Sequence, residues 1–335
     1  MLHHKKTLGF LSLMLLFTVV FQPAVASGEE KPVVIVFAKG MLGTETELGW
    51  VMGNITDVEW VVFTETITFS DIEPADVLIP LIVDTGYDFT DDEVNAIKEW
   101  WDKGGKSIWI SSDSDYPSDA PRIDDANKLL EALGSVLRSE HRETVDPVCN
   151  CKKDYRVKGL VKPDHPYEFL AGGAWRGVLF HGPGVVITYV DGKYGKPELE
   201  VPENVYRIVM ASETASIAEF TEGEPVVHDI GEEGPKVLMA AEVFPDKGNV
   251  LVFSASAPFA GTYRGMWLNE YHGVKLDGPG FVGNIILWLA GLFGTRLPPT
   301  PAPAPLWTPA LIAAVALDVI FAVALIATVA YYKKK

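Results

Sequence analysis

Cysteine, glutamine and basic residues are all scarce in this chain of 335 residues. The two cysteines are Cys149 and Cys151, with no second pair and no histidine at ligand spacing, so the sequence predicts no metal site. Two alternatives stay open for this pair: a strained disulfide across one intervening residue, or two reduced thiols in a loop. Glutamine occurs at Gln22 alone, while Glu and Lys are plentiful, a bias reported for proteins of thermophiles.

The shortage of basic residues gives the chain a strong negative charge. There are 28 Lys and Arg residues against 45 Asp and Glu residues, for a net charge of −17. Lys5, Lys6, Asp318 and the lysines at 333–335 together contribute +4, so the middle of the chain carries −21. An acidic surface of this size repels a phosphate backbone, which excludes nucleic acid as a partner.

Two apolar segments near the ends predict export and membrane anchoring. Residues 1–26 have a basic lead, an apolar run and the small-residue sequence Ala24-Val25-Ala26, the layout of a secretory signal peptide. Residues 307–332 are apolar over a length that crosses a bilayer and are followed by the lysine tail 333–335. Lysines stay on the cytoplasmic side of a membrane. The sequence therefore predicts a single-pass cell-membrane protein with its bulk outside the cell.

The segments between these ends have distinct compositions. Residues 27–296 are long enough for an exterior domain with its own core, and the proline-rich residues 297–306 predict a stiff stalk. Asn54 begins the sequon Asn-Ile-Thr, which makes it a glycosylation candidate on an exported chain.

Buried strands alternate with helical patterns in the first part of this domain. The run at 32–38 has no polar residue, and further strands are predicted at 58–64, 76–83 and 106–112. Between the last two, Thr90 and Glu93 form a capping box, and Gly104-Gly105 ends the helix. Strands separated by helices predict parallel crossovers, hence an α/β fold with helices on both faces of a mostly parallel sheet.

Beyond residue 121 the pattern is less regular. We predict a helix at 123–137, an irregular loop at 146–173, strands at 178–190, 206–210 and 217–220, a hairpin of strands at 236–243 and 249–254, and a helix at 281–293 with Leu292 inward.

Several segments resemble one known family. Residues 75–79, 89–97 and 104–108, together with the closing segments 247–254 and 283–289, are similar to the class I glutamine-amidotransferase-like domain. The closer resemblance is to its non-catalytic branch, found in auxiliary proteins of gliding-motility ABC transporters and in ciliary transport proteins. The resemblance implies a three-layer, flavodoxin-like α/β fold followed here by a transmembrane helix.

The resemblance also implies that the domain is not an enzyme and needs no cofactor. Active members of the family have a cysteine nucleophile after the strand equivalent to 106–112, where this chain has Ser111-Ser112-Asp113-Ser114. Their later His-x-Glu pair has no match, since His228 precedes Asp229 and Ile230. Without the thiolate and its base, the amidotransferase reaction has no nucleophile. The expected function is a binding or scaffold module, as an accessory subunit of a membrane complex such as a transporter.

Ligands of parallel α/β sheets bind beyond the carboxyl ends of the strands. The residues that follow the predicted strands, or lie in the loop expected beside them, are the candidates for lining such a crevice: Lys39, Gly40, Asp84, Thr85, Ser112, Asp113, His181 and Ser254.

Other interpretations of these residues remain open. An extracellular serine hydrolase would use Ser112 as nucleophile, His181 as base and Asp84 to orient it, although the G-x-S-x-G motif is absent. Asp113, Asp115 and Asp119 could bind calcium, but their spacing departs from that of an EF-hand, so we expect a solvated acidic loop. A structural component of the cell envelope is the remaining alternative.

Asp318 is a candidate contact with a membrane partner. It lies about midway along the predicted span, where an unpaired aspartate costs about 3 kcal/mol. We therefore predict that Asp318→Leu, in the full chain, loses membrane proteins that otherwise copurify in affinity capture from native membranes. An unchanged set of partners would show that Asp318 makes no assembly contact.

Overall fold

The computed structural model describes residues 30–41, 46–259 and 264–298. The signal segment 1–26, the transmembrane segment 307–332 with Asp318, the lysine tail and most of the stalk lie outside these residues and remain predictions. Within the described ranges, no helix is both long and apolar enough to cross a bilayer.

The domain combines five α-helices with many short strands in the described residues. The helices are α1 Thr46–Asn54, α2 Phe69–Ile72, α3 Asp91–Asp102, α4 Pro121–Ala132 and α5 Gly278–Leu289, with a 3₁₀-helix at Glu168–Ala171. The strands are β1 Val33–Lys39, β2 Glu59–Phe63, β3 Val77–Ile82, β4 Ser107–Ser111, β5 Leu137–Glu140, β6 Glu143–Val145, β7 Arg156–Val161, β8 Val178–His181, β9 Val185–Val190, β10 Lys193–Gly195, β11 Val205–Met210, β12 Ser216–Ala218, β13 Val237–Phe244, β14 Asn249–Ser254, β15 Glu270–Tyr271 and β16 Val274–Lys275.

A nine-stranded sheet in the order β2-β1-β3-β4-β14-β13-β11-β7-β8 forms the centre of the domain. The five strands from β2 to β14 are parallel, and the order 2-1-3-4 is that of doubly wound, flavodoxin-like sheets. The predicted α/β fold with a parallel core is thus confirmed. From β14 onward the pairings are antiparallel. Three smaller sheets, β10-β9-β5, β12-β6 and β15-β16, are formed by other segments of the described residues.

Helices cover both faces of the parallel core, as predicted. Successive side chains of a strand point to opposite faces. Val34 and Val36 of β1 belong to one apolar cluster, together with residues of α1 and α5. Ile35 and Phe37 belong to the other, together with residues of α2, α3 and α4. The uninterrupted apolar run of β1 therefore follows from its burial on both faces.

The capping box of α3 is present as predicted. The Glu93 amide donates to Thr90 Oγ1 at 3.3 Å, and the Thr90 amide donates to Glu93 Oε2 at 2.8 Å. After the helix, Gly104 and Gly105 both have positive φ angles, the left-handed conformation that glycine adopts without strain. This turn places Gly105 against Lys247, whose carbonyl accepts from the Gly105 amide at 2.8 Å.

The boundaries predicted beyond residue 121 need correction. The helix predicted at 123–137 ends at Ala132, because Gly134 turns the chain with a φ of 76° and Leu137 begins β5. The strand predicted at 178–190 is two strands, β8 and β9, separated by the turn Gly182-Pro183-Gly184.

Two further predictions in this region are wrong. The segment predicted as an irregular loop contains β7, whose residues alternate between buried and part-exposed. Leu292 is 48% exposed, because the last helix ends at Leu289 and the chain turns at Gly291.

The glycine pair after α3 offers a matched test of this turn. A Cβ on Gly104 would lie 2.8 Å from the Lys247 carbonyl oxygen, whereas one on Gly105 would meet open space. We expect Gly105→Ala to lower the free energy of unfolding by about 1–2 kcal/mol through backbone strain alone. Gly104→Ala should lower it by a further ~1 kcal/mol or more through the added steric clash. Urea denaturation of the two variants measures the difference, and equal losses would contradict this assignment.

Candidate functional site

A proline inside β3 opens the sheet where the candidate site forms. Pro80 pairs with Phe37 of β1 in regular register. On the other side, the pairing of β3 with β4 covers Val77 and Leu78 and ends before Pro80, which has no N–H to donate. The carboxyl ends of β3 and β4 are therefore not paired with each other.

Arg122 lies in this opening. It belongs to the first turn of α4, is 7% exposed, and donates through Nε to the Ile82 carbonyl at 2.8 Å and through Nη2 to the Val83 carbonyl at 2.9 Å. Its Nη1 lies 2.6 Å from Asp119 Oδ1 and 3.4 Å from Asp113 Oδ2. A cation at a helix N-terminus is unfavourable, and the two carboxylates offset that effect. Arg122 thus joins the end of β3 to the acidic loop that follows β4.

This acidic loop forms one wall of a cavity of about 540 Å³. The turn after β8 packs against this loop: a Cβ on Gly184 would lie 2.5 Å from the Asp113 carbonyl oxygen, and the Gly184 amide donates to the Ala255 carbonyl at 2.9 Å. The lining residues are Asp113, Ser114, Tyr116, Ser118, Asp119, Glu143, Tyr155, His181, Gly182 and Phe220.

Glu143 is a buried acid at the floor of this cavity. Burial raises its pKa to about 8, and the neighbouring charges of Asp115 and Asp113 act in the same direction. At neutral pH its carboxyl group is therefore mostly protonated. Asp115 accepts hydrogen bonds from the amides of Phe220 and Thr221, yet its Oδ1 is buried without a hydrogen-bond partner among the described residues. The cavity is short of positive charge.

Aromatic rings surround the acidic floor. Tyr116 and Phe220 meet edge to face at 5.5 Å between ring centroids, and each is half-exposed at the rim. Tyr155 packs edge to face against His181 at 5.5 Å. Burial and the nearby guanidinium of Arg156 lower the pKa of His181, so it is neutral at pH 7. Rings above carboxylates are the arrangement that binds organic cations.

The predicted crevice residues divide between this cavity and the interior. Asp113 and His181 line the cavity. Ser254 is fully buried, where its hydroxyl accepts from Trp109 Nε1 at 2.9 Å and donates to the Ser256 carbonyl at 2.8 Å. Ser112 is 1% exposed, and its hydroxyl lies 2.8 Å from Ser139 Oγ. The two serines therefore serve internal packing.

The remaining crevice candidates lie together at the ends of β1 and β3. Lys39 is buried and pairs with Glu93 Oε2 at 2.5 Å, which ties β1 to the start of α3. Gly40 has a φ of 85°, and a Cβ there would lie 2.8 Å from Asp84 Cβ. Asp84 is exposed and accepts from the Gly86 amide at 2.9 Å, while Thr85 lines a shallow open depression. These residues shape a turn beside the cavity.

The geometry does not favour the serine-hydrolase interpretation. Ser112 Oγ is enclosed beside Ser139, Asp84 is on the surface in its own turn, and His181 faces the cavity. A nucleophile needs exposure to its substrate as well as a base. The three residues occupy three different environments.

The acidic residues near β4 are not a solvated loop, so that prediction is wrong. Asp113 and Asp115 are 2% and 0% exposed. Asp125 is also buried, accepts from the Phe89 amide at 3.0 Å, and has its pKa raised to about 6, mainly by desolvation. The ion pair of Asp113 with Arg122 and the bonds to backbone amides compensate for part of the cost of burial.

Cys149 and Cys151 are free thiols, the second of the two alternatives. Burial raises the pKa of both, that of Cys151 to about 11, so neither forms the thiolate that nucleophilic attack requires. Cys149 Sγ contacts the Lys158 carbonyl at 3.4 Å, and Cys151 packs with Leu179 and Leu276. Asn54 is exposed as a glycan acceptor should be, with its Nδ2 bonded to the Trp50 carbonyl at 2.7 Å.

Several cavity residues were not identified from the sequence. Glu143 begins a strand of three residues, which is too short to show a period of two. Tyr155 lies in the segment predicted as a loop, and Phe220 follows the short strand β12. Their approach to Asp113 depends on the turn after β8, which no local pattern specifies.

The raised pKa of Glu143 predicts a specific pH dependence of stability. Because the folded protein holds this proton to about pH 8 and the unfolded chain releases it near 4.5, wild-type stability falls as the pH rises between these values. Over this window, the free energy of unfolding of wild type should fall by up to roughly 1.4 kcal/mol per pH unit, and that of Glu143→Gln should not. The variant should therefore be most stable relative to wild type above pH 8. Urea denaturation at pH 5, 7 and 9 measures this, with the exposed Glu168→Gln as control. A constant offset between Glu143→Gln and wild type would contradict it.

No protein-family model matches the chain, and no curated protein matches it. Among solved structures, the mmIFT52 N-terminal domain matches with a TM-score of 0.48 and 11% identity, over 76% of this chain and 96% of that chain. A Thermoplasma acidophilum protein described as part of a GMP synthase matches with a TM-score of 0.34 and 10% identity, over 78% of this chain and 95% of that chain. At these scores the assignment of the fold rests on the strand order and layers described above.

Proposed function

We propose that this domain is a non-catalytic binding module that holds an organic cation, either a small ammonium compound or a basic side chain of a partner, in the acidic cavity beside β4. The observation that carries this proposal is a cavity of about 540 Å³ lined by three acids, Asp113, Asp119 and Glu143, and by aromatic rings. Ligand sites in proteins have volumes of about 300–1,000 Å³.

Electrostatics favour a cation over other ligands. Asp113 and Asp119 both pair with the guanidinium of Arg122. Glu143 stays mostly protonated at neutral pH, because burial and its acidic neighbours raise its pKa to about 8. A cation in the cavity would restore the charge of Glu143. Tyr116, Tyr155 and Phe220 add ring faces and edges, and a cation near an aromatic face gains about 0.5–2 kcal/mol.

The state of the candidate nucleophiles supports binding rather than catalysis. Both thiols have raised pKa values, and Ser112 is enclosed. The strongly perturbed group of the cavity is the carboxyl of Glu143, which suits recognition of positive charge.

The cellular setting of this module is proposed from the sequence. The segments 1–26 and 307–332 would place it outside the cell on a membrane anchor, and Asp318 would contact a membrane partner. By fold-level resemblance, that partner would be a transporter-like complex.

Titration of the full chain in detergent with choline tests the site. We expect choline to bind and its uncharged carbon isostere not to bind, because the carboxyl groups of the lining attract a cation and not a neutral molecule. Since choline keeps its charge at every pH, its affinity should rise by up to about tenfold per pH unit between pH 6 and 8 as Glu143 ionises, and then level off. Isothermal titration calorimetry measures both results.

Variants separate this site from surface binding. Glu143→Gln should abolish the rise in affinity with pH, and Phe220→Ala should weaken choline binding several-fold through loss of the aromatic rim. Glu168→Gln, an exposed glutamate outside the cavity, should leave binding unchanged. Equal binding of choline and its isostere, or no binding of either choline or spermidine, would reject the cationic ligand and favour a structural component of the envelope.

A further inference from the structure

A second group of titratable side chains shares no residue with the acidic cavity. Its centre is His228, whose side chain is fully buried. His228 Nδ1 contacts a carboxylate oxygen of Glu140, at the end of β5, and His228 Nε2 lies 2.6 Å from Glu198 Oε1. Glu232 completes the group, because one ligand atom each from Glu198, His228 and Glu232 lie within 4.8 Å of one another.

Glu140 fixes the orientation of the imidazole ring. Besides His228 Nδ1, its carboxylate accepts from the amides of Val227 and His228, both at 2.6 Å. Histidines that bind metals usually donate their other ring N–H to a carboxylate in this way, which holds the ligating nitrogen in position. Glu140 therefore directs Nε2 toward Glu198 and Glu232.

Glu198 supplies a second, independent observation that points to a cation as ligand. Its side chain is 7% exposed, and its Oε2 is buried with no hydrogen-bond partner in the described part of the chain. Leaving a buried carboxylate oxygen without a partner costs about 1–3 kcal/mol or more. A cation next to Glu198 Oε2 would remove this penalty.

Two lysines take part in the charge balance of this group. Lys196 Nζ lies 2.8 and 2.6 Å from the two carboxylate oxygens of Glu232, and Lys236 Nζ lies 3.9 Å from Glu232 Oε1. Each carboxylate oxygen has more than one lone pair, so Glu232 can keep Lys196 and still coordinate a metal. A divalent ion in place of a proton on His228 Nε2 adds one positive charge to a group rich in carboxylates.

We propose that His228 Nε2, Glu198 and Glu232 form a binding site for a divalent transition metal ion of the zinc class, with Glu140 as the outer partner of the histidine. One imidazole and two carboxylates suit zinc or manganese better than calcium, which prefers oxygen ligands alone. Ligand atoms of a tetrahedral zinc site lie about 3.3 Å apart, so Glu198 would move outward by about 0.7 Å from its 2.6 Å contact. Its position in the loop between β10 and β11 allows such a shift.

The sequence predicts no metal site because these ligands are dispersed. Glu232 follows His228 by four residues in a loop, but Glu198 lies 30 residues before His228 in another loop, so the three ligands do not form a compact zinc motif.

Calorimetric titration of the full chain with zinc chloride, after treatment with a chelator, tests the site. We expect one strongly bound zinc ion per chain, and a visible absorption spectrum with cobalt that indicates nitrogen and oxygen ligands. Glu198→Gln and Glu232→Gln should each weaken zinc binding at least about tenfold, and Glu140→Gln about 10–100-fold. Zinc should also raise the melting temperature of wild type and not of Glu198→Gln.

Two control variants exclude binding elsewhere. Glu168→Gln removes the carboxylate of the exposed pair His165–Glu168, and Cys149→Ser removes a thiol; both should keep wild-type zinc affinity. The proposal is overturned if zinc fails to bind, if Glu198→Gln and Glu232→Gln bind it as wild type does, or if either control loses it. A far-UV circular dichroism spectrum of Glu198→Gln that matches wild type shows that the variant folds, so the zinc result does not depend on ligand binding in the acidic cavity.

Discussion

The candidate site depends on the placement of the Arg122 guanidinium. Pro80 ends the pairing of β3 with β4, and Arg122 satisfies the carbonyls of Ile82 and Val83 that this exposes. The same guanidinium balances the buried Asp113 and the partly exposed Asp119. One side chain thus joins the backbone of the parallel sheet to the chemistry of the loop after β4.

The domain contains two groups of buried acids whose negative charge is compensated in different ways. In the cavity, Arg122 neutralises the acids nearest to it, and Glu143 keeps a proton because burial and neighbouring carboxylates raise its pKa to about 8. Around His228, burial alone would lower the pKa of the imidazole, but its hydrogen bonds to Glu140 and Glu198 raise that pKa to about 9. Both groups have more carboxylate oxygens than the described side chains satisfy, which is why each is proposed to bind a cation.

Prediction from sequence succeeded where the determinants are local. The capping box of Thr90 and Glu93 and the apolar run of β1 are each contained in a few residues. The start of α3 and the burial of β1 on both faces could therefore be predicted. Asp113 and His181 were identified as site candidates, Asp113 from its place after a strand and His181 from its loop, and both line the cavity. Ser112 and Ser254 were identified by the same argument, but both face the interior, because position after a strand does not determine the direction of a side chain.

The sequence by itself determined the alternation of strands and helices and the acidic charge of the middle segment. The tertiary structure decided which acids are buried and what they face. Glu143 meets Asp113, and His228 meets Glu140 and Glu198, only because the small sheets and the loops around them fold against segments distant in the chain. Such contacts join residues far apart in the chain, and their energies depend on desolvation, which no short stretch of sequence specifies.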